Sequence, residues 1–221
     1  DGSSPGCAGG GSLTSSRNSL RTASTSFGLS ADQASYAADV MSQVANTSAA
    51  SVQDWGNAIK YVGPIAGALK QPIDDIGVAM GLMANQSIKG ETAGTTLRTI
   101  LSNLAAPAGE VKTALSALGI ATTDASGNMQ PLVSIMEQFR SKLSGVSDSQ
   151  KAQVAEMIAG KEGMSGFLAI VNAAPSSFNG MVDSMNNAAG ATAKFAEATN
   201  KGFKFEWGQL TGSIETVLIS A

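Results

Sequence analysis

No histidine occurs in the 221-residue sequence. Its absence removes the Ser-His-Asp and Cys-His arrangements of nucleophilic catalysis and a common nitrogen ligand for metals. There is one cysteine, Cys7. A lone thiol forms no intrachain disulfide, and its setting, DGSSPGCAGGGS, reads as a surface tail. Charged residues are 14% of the chain, where about a quarter is usual. With 14 Lys+Arg against 17 Asp+Glu the net charge is −3, so the basic footprint of a nucleic-acid binder is missing. Aromatic residues are only 5%. No stretch reaches the ~18 uncharged apolar residues of a membrane span. The most apolar window, residues 65–84, contains Lys70, Asp74 and Asp75. No apolar segment near the start has the form of a secretory signal.

What is present is apolar and small. Hydrophobic residues are 43% and glycines number 25. At such low charge that content can bury a core. Residues 1–26, rich in Ser, Gly and Thr without periodicity, read as a flexible tail or junction. The chain begins without Met, and its last stretch, residues 211–221, stops inside an apolar-periodic helix. It therefore reads as a segment of something longer.

From Ser30 onward helical signals are dense. Ser30 with Gln33 and Ser147 with Gln150 have capping-box spacing, and Ser51 can cap a helix carrying Trp55, Ile59 and Val62. Gly63-Pro64 should end that helix, with Pro64 starting the next. Pro72 opens a helix with Asp74 and Asp75 in its first turn, where the helix dipole favours acids. Pro107 splits residues 91–106 from 108–118, and Gly119 suits the left-handed position after a helix. The stretch GIATTDASGNMQ, residues 119–130, breaks the rhythm and suggests a small β-hairpin turning at Ser126-Gly127-Asn128. Pro131 then opens a helix with Leu132, Ile135, Met136, Phe139 and Leu143 inward. Gly160 ends the one after it. A longer helix from Phe178 becomes Ala-rich to about Thr199. The pattern predicts an all-α fold: a compact bundle of nine or ten mostly short helices with one small hairpin. Its core should span residues 27–199, and a further amphipathic helix begins over 200–221.

Three glycine pairs, Gly63/Gly67, Gly77/Gly81 and Gly90/Gly94, are spaced by four. On a helix each pair shares one face and lets a neighbouring backbone approach closely. Chemical motifs are absent. Gly160-Lys161 lacks the rest of a phosphate-binding loop. Gly163-Met-Ser-Gly166 is not a nucleophile elbow. Residues 124–128 are too poor in ligands for a calcium loop. Asp74 and Asp75 point about 100° apart on a helix and cannot face each other as an acid/base pair. The nine methionines fit irregular core gaps. No catalytic, cofactor or metal residue is assigned, and the chain reads as a non-enzyme.

One stretch carries a resemblance. NQSIKGETAGTTLRTILSNLA, residues 85–105, is similar to the core region of phage tail tape measure proteins, especially of siphophage and prophage type. Its most telling positions are Ile88, Lys89, Gly90, Glu91, Ala93, Gly94, Thr95, Leu97 and Arg98. Gly63-Pro64 upstream and Gly127-Asn128 downstream match in order. The resemblance runs from about Phe27 to at least Leu168. It implies a virion structural protein in the tail-tube lumen, held in the host cytoplasm during assembly, that sets tail length and leaves when the genome is ejected. It implies self-association and contact with tail-tube and tail-tip proteins, assembly chaperones and, on ejection, the host membrane, without specific nucleic-acid binding. A membrane-active or pore-forming helical module is the alternative. Within the motif, Gly94 should permit a close helix crossing, and Arg98 should be partly buried against Asp74 or Asp75.

Overall fold

The computed structural model describes residue 18 and residues 20–193. Cys7 and the amphipathic helix expected over 200–221 lie outside the described residues. Among the described residues nine helices follow one another. They are α1 (residues 20–27), α2 (Ala31–Thr47), α3 (Val52–Ala68), α4 (Ile73–Asn85), α5 (Gly90–Ala105), α6 (Gly109–Leu118), α7 (Leu132–Leu143), α8 (Asp148–Val171) and α9 (Pro175–Asn186). A helical turn at residues 191–193 closes the described chain, which contains no strand among its described residues.

Local chemistry accounts for many of the boundaries. The Ser51 side chain accepts the Asp54 N–H at 3.1 Å while Asp54 Oδ2 accepts the Ser51 N–H at 2.9 Å, a reciprocal cap for α3. Gly119 takes φ 64°, and the Ile120 N–H reaches back to the Leu115 carbonyl at 2.9 Å, which closes α6. Pro175 sits in the first turn of α9, where its missing N–H costs nothing. Gly160 holds φ 72° and ψ 169°, a backbone conformation essentially reserved for glycine, and divides α8 into two arms. The Asn103 amide donates to the Ile158 carbonyl at 2.9 Å, satisfying an acceptor freed by that break.

Several expectations are corrected. Pro64 does not end a helix: α3 runs through it to Ala68. Gly63 has no Cβ to clash with the proline ring, and both Pro64 and Lys60, whose carbonyl loses its donor, face water. The hairpin is not formed. Thr123 and Met129 make a single antiparallel bridge. The loop is instead tied by Asp124, whose Oδ1 accepts the Ser126 and Asn128 N–H groups at 2.8 and 2.9 Å. The Gln130 carbonyl is engaged by the Gln71 side chain at 3.2 Å, and Pro131 has no N–H to extend a ladder. Residues 20–26 of the stretch read as a tail belong to α1, with Leu20 and Ala23 buried, an apolar spacing masked by the surrounding Ser and Thr. The helix from Phe178 stops at Asn186, before Gly190 at φ 77°, and residues 194–199 of its expected Ala-rich continuation lie outside the described residues.

Helix α4 is the centre. Ten of its 13 residues are buried, and α2, α3, α5, α7, α8 and α9 all pack on it. Such an apolar helix is stable only when surrounded. Trp55, Phe139, Phe167 and Phe178 are the large side chains of the core. Phe139 and Phe167 meet edge-to-face at 5.0 Å.

Candidate functional site

The glycine pairs are the structural heart of the molecule, and each is used differently. A Cβ on Gly94 would run into the backbone of Ala58 on α3, whose Cα would stand 2.7 Å away, so α5 and α3 cross nearly backbone to backbone. Gly90 also lies against α3, where a Cβ would meet Asp54 and Asn57 only at ordinary contact distance. It opens α5 at φ 55°, a position that favours glycine for conformation rather than space. Gly63 and Gly67 admit α1: a Cβ at Gly67 would overlap the Ser26 carbonyl. Gly77 and Gly81 receive side chains rather than backbone. The sulfur of Met185 would lie 2.9 Å from a Cβ at Gly77, and that of Met181 2.8 Å from one at Gly81. Two methionines one turn apart on α9 thus enter two notches one turn apart on α4.

The remaining motif residues split by face. Ala93 and Leu97 are buried with Gly94, and Ile88 is half-buried against the core. Lys89 precedes the first turn of α5 in an extended conformation. Thr95 returns its hydroxyl to the Glu91 carbonyl at 2.9 Å. Glu91, close to Tyr61 of α3, holds the phenol above its ordinary pKa. Gly127, at φ 82°, and Asn128 belong to the 120–130 loop, whose bonds run to Gln71 and to Gln138 of α7. The motif is therefore one buried face and one exposed face of α5, not a convergent site.

Arg98 is exposed, and neither Asp74 nor Asp75 is its partner. Asp74 Oδ1 accepts the Tyr36 hydroxyl of α2 at 2.7 Å. Asp75 Oδ2 accepts the Val133 N–H at 2.8 Å, and Gln71 Oε1 accepts the Leu132 N–H at 2.8 Å. Gln71, just before α4, and Asp75, in its first turn, thus cap α7, which follows Pro131 and has no side-chain cap of its own. Burial pushes the Asp75 carboxyl up to about 6; Asp74 and Glu137 nearby add to the rise and the Val133 N–H opposes it. Burial also raises Asp74, against the Tyr36 bond. Tyr36 in turn is raised, first by burial and then by Asp74.

The arginine that holds the fold is Arg140. Its Nη1 donates to the carbonyls of Ile170, Val171 and Ala173 at 3.0, 3.1 and 2.8 Å, and its guanidinium lies 4.3 Å from the centre of the Phe178 ring. It joins α7 to the C-terminal end of α8 and the start of α9, where a cation suits the helix dipole. Asp39 does the converse on α2, accepting the Gly190 and Thr192 N–H groups at 2.8 and 3.0 Å.

Among the described residues no group of three or more His, Cys, Asp or Glu could hold a metal. Open clefts lie at two places among the described residues. One of about 600 Å³ lies between the Thr92–Thr95–Thr99 side of α5 and the break at Gly160. The other, about 700 Å³, lies among α4, α8 and α9 beside Leu82, Asn85 and Leu168. Neither is lined by Asp74 or Asp75. The site is an architecture of close packing and long-range caps.

The family model of the phage-related minor tail proteins matches residues 6–160, well over half of the chain. The chain belongs to that family. It is 31% identical over 210 residues to the tape measure protein of Pneumococcus phage Dp-1, covering 95% of this chain and 18% of that protein. It is 30% identical over 179 residues to the probable tape measure protein of Escherichia phage P2, covering 80% of this chain and 22% of that one. The chain thus spans about a fifth of the length of these curated relatives. No solved structure matches.

Proposed function

We propose that this chain is the folded helical segment of a tape measure protein: part of the molecule that sets tail length and is released on genome ejection, but not its measuring rod. The observation that carries this reading is the break-up of the helices. A ruler works as an extended helix, and 221 residues in one helix would reach ~330 Å. Among the described residues the longest helix has 24 residues and is broken at Gly160, and no other exceeds 17 residues, about 26 Å. The likeness to proteins named tape measure supports the tail-length role, and the fold supports assigning this stretch to packing rather than span.

In this reading residues 88–98, with Gly63, Pro64, Gly127 and Asn128, are the family's structural motif and carry no chemistry. The domain works in the tail lumen after assembly in the host cytoplasm. Its partners are further copies of itself, tail-tube and tail-tip proteins, and assembly chaperones. No observation favours the membrane-active alternative: among the described residues no helix is long and apolar enough to cross a membrane. The test is a deletion of this segment from the phage gene, with tails measured by electron microscopy. Tails that form should shorten by far less than the ~330 Å of an extended helix. Shortening by that full length would overturn the assignment.

A further inference from the structure

Gly160 breaks α8 with a backbone conformation, φ 72° and ψ 169°, that glycine alone adopts readily. Nothing nearby forces the break. No proline stands there, and a Cβ at Gly160 would meet no atom within 4 Å. The first arm of α8 buries Ala155, Ile158 and Ala159, and the second buries Gly163, Gly166, Phe167, Ile170 and Val171. Read straight across the break, these positions keep the three-and-four spacing of one unbroken helical stripe. The sequence is patterned for a single helix, and the fold bends it.

The two arms are held unequally. The second sits in the core: Gly163 and Gly166 lie against Thr96, and Phe167 meets Phe139 edge-to-face. The first, residues 148–159, buries three residues, two of them alanines. Glycine stands at both of its ends. Gly145 has φ 95° and, like Gly160, open space where a Cβ would be. The ties at the break are light. The Asn103 amide donates to the Ile158 carbonyl at 2.9 Å, and the Lys161–Glu156 pair, at 3.8 Å, is exposed. The cleft of about 600 Å³ beside Gly160 leaves that stretch of backbone open on its outer side.

We propose that the first arm of α8 is a strap between two glycine hinges, with two states. Bent at Gly160, it lies on the bundle. With Gly160 in helical conformation, α8 is one straight helix of 24 residues, ~36 Å long. Straightening returns the Ile158 carbonyl to a helical donor and gives up the Asn103 bond and the shallow burial of the first arm. Glycine tolerates both conformations, whereas alanine disfavours the bent one and favours the helical one. The strap rests on the geometry of α8 alone and stands apart from the tail reading.

Pulsed dipolar spectroscopy of the full chain tests it. Spin labels go on Ser149→Cys and Asn172→Cys, both exposed positions, with Cys7→Ser to remove the native thiol. These positions are 23 residues apart, so the straight form separates them by ~35 Å along the axis, and the bent form by less. The chain with Gly160 should show mainly the shorter distance. Gly160→Ala should raise the ratio of straight to bent by at least about tenfold, because alanine is strained at the bent conformation. Asn103→Ala should shift the ratio the same way by less. A Gly160→Ala chain that keeps the shorter distance alone overturns the strap. Should Gly160→Ala fail to fold, Asn103→Ala in the same labelled chain decides the matter. Growth of the ~35 Å population supports the two states, and an unchanged distribution overturns them.

Discussion

Helices α5 and α6 are neighbours in the chain, with residues 106–108 between them, and the fold treats them in opposite ways. Both carry apolar residues at helical spacing. Helix α5 buries Gly90, Ala93, Gly94, Thr96, Leu97, Ile100, Leu101 and Leu104 between α3 and α8. Helix α6 buries only Leu115 and rests against α8. The difference lies in the small residues. Gly94 lets α5 approach α3 to backbone contact, and Gly163 and Gly166 let α8 take Thr96 and Met83 close in. Glycines near α6 have another duty: Gly109 and Gly119 have positive φ and mark its ends, with no close neighbour for a Cβ at Gly109. An apolar stripe buys burial only where the opposing surface can come near.

That contrast can be broken or sharpened by substitution. The largest effect belongs to Gly94→Leu, which must move the Ala58 backbone. Loss of more than about 3 kcal/mol in urea unfolding, or failure to fold, is expected, and an unchanged melting point would sink the close-crossing argument. Next is Arg140→Met, which keeps bulk but strands three carbonyls and loses the charge over Phe178. A loss of roughly 2 kcal/mol is expected. Gly81→Ala should cost about 1 kcal/mol or less, because the flexible end of Met181 can turn aside where the Ala58 backbone cannot. At the small end, Arg98→Met and the α6 substitution Lys112→Ala should each change stability by no more than about 0.5 kcal/mol, since both residues are exposed. A large loss for Lys112→Ala would show that α6 is held by more than Leu115.

Much of the element map follows from local punctuation. Pro107, Gly119, Gly160 and Ser51 act on residues within four positions of themselves, so their effects stand in the sequence. Gly94 was legible as a close contact, though its partner Ala58 was not. The long-range caps left little trace. Gln71 and Leu132 are 61 positions apart, Asp75 and Val133 58, and Arg140 and Ala173 33. One clue existed: a helix opening on Pro131 without its own side-chain cap must find acceptors elsewhere. The one-turn spacing from Gly94 suggests a partly buried Arg98 paired with Asp74 or Asp75, yet Arg98 is exposed and those carboxylates bond Tyr36 and Val133 instead. Pro64 misled because proline usually breaks a helix, and the glycine before it removes part of the reason.

The Asp39 bonds to Gly190 and Thr192 have a mechanical meaning. They tie the last described turn to α2, beyond the methionines of α9. Among the described residues, tension applied from the C-terminal side meets those two bonds first. Next it meets Met185 and Met181 in their notches on α4, and only afterwards the α3–α5 crossing. The segment is graded like a seam that opens from one edge. Single-molecule pulling on that side should release residues 187–193 as its first and weakest step, ahead of the rest of the bundle.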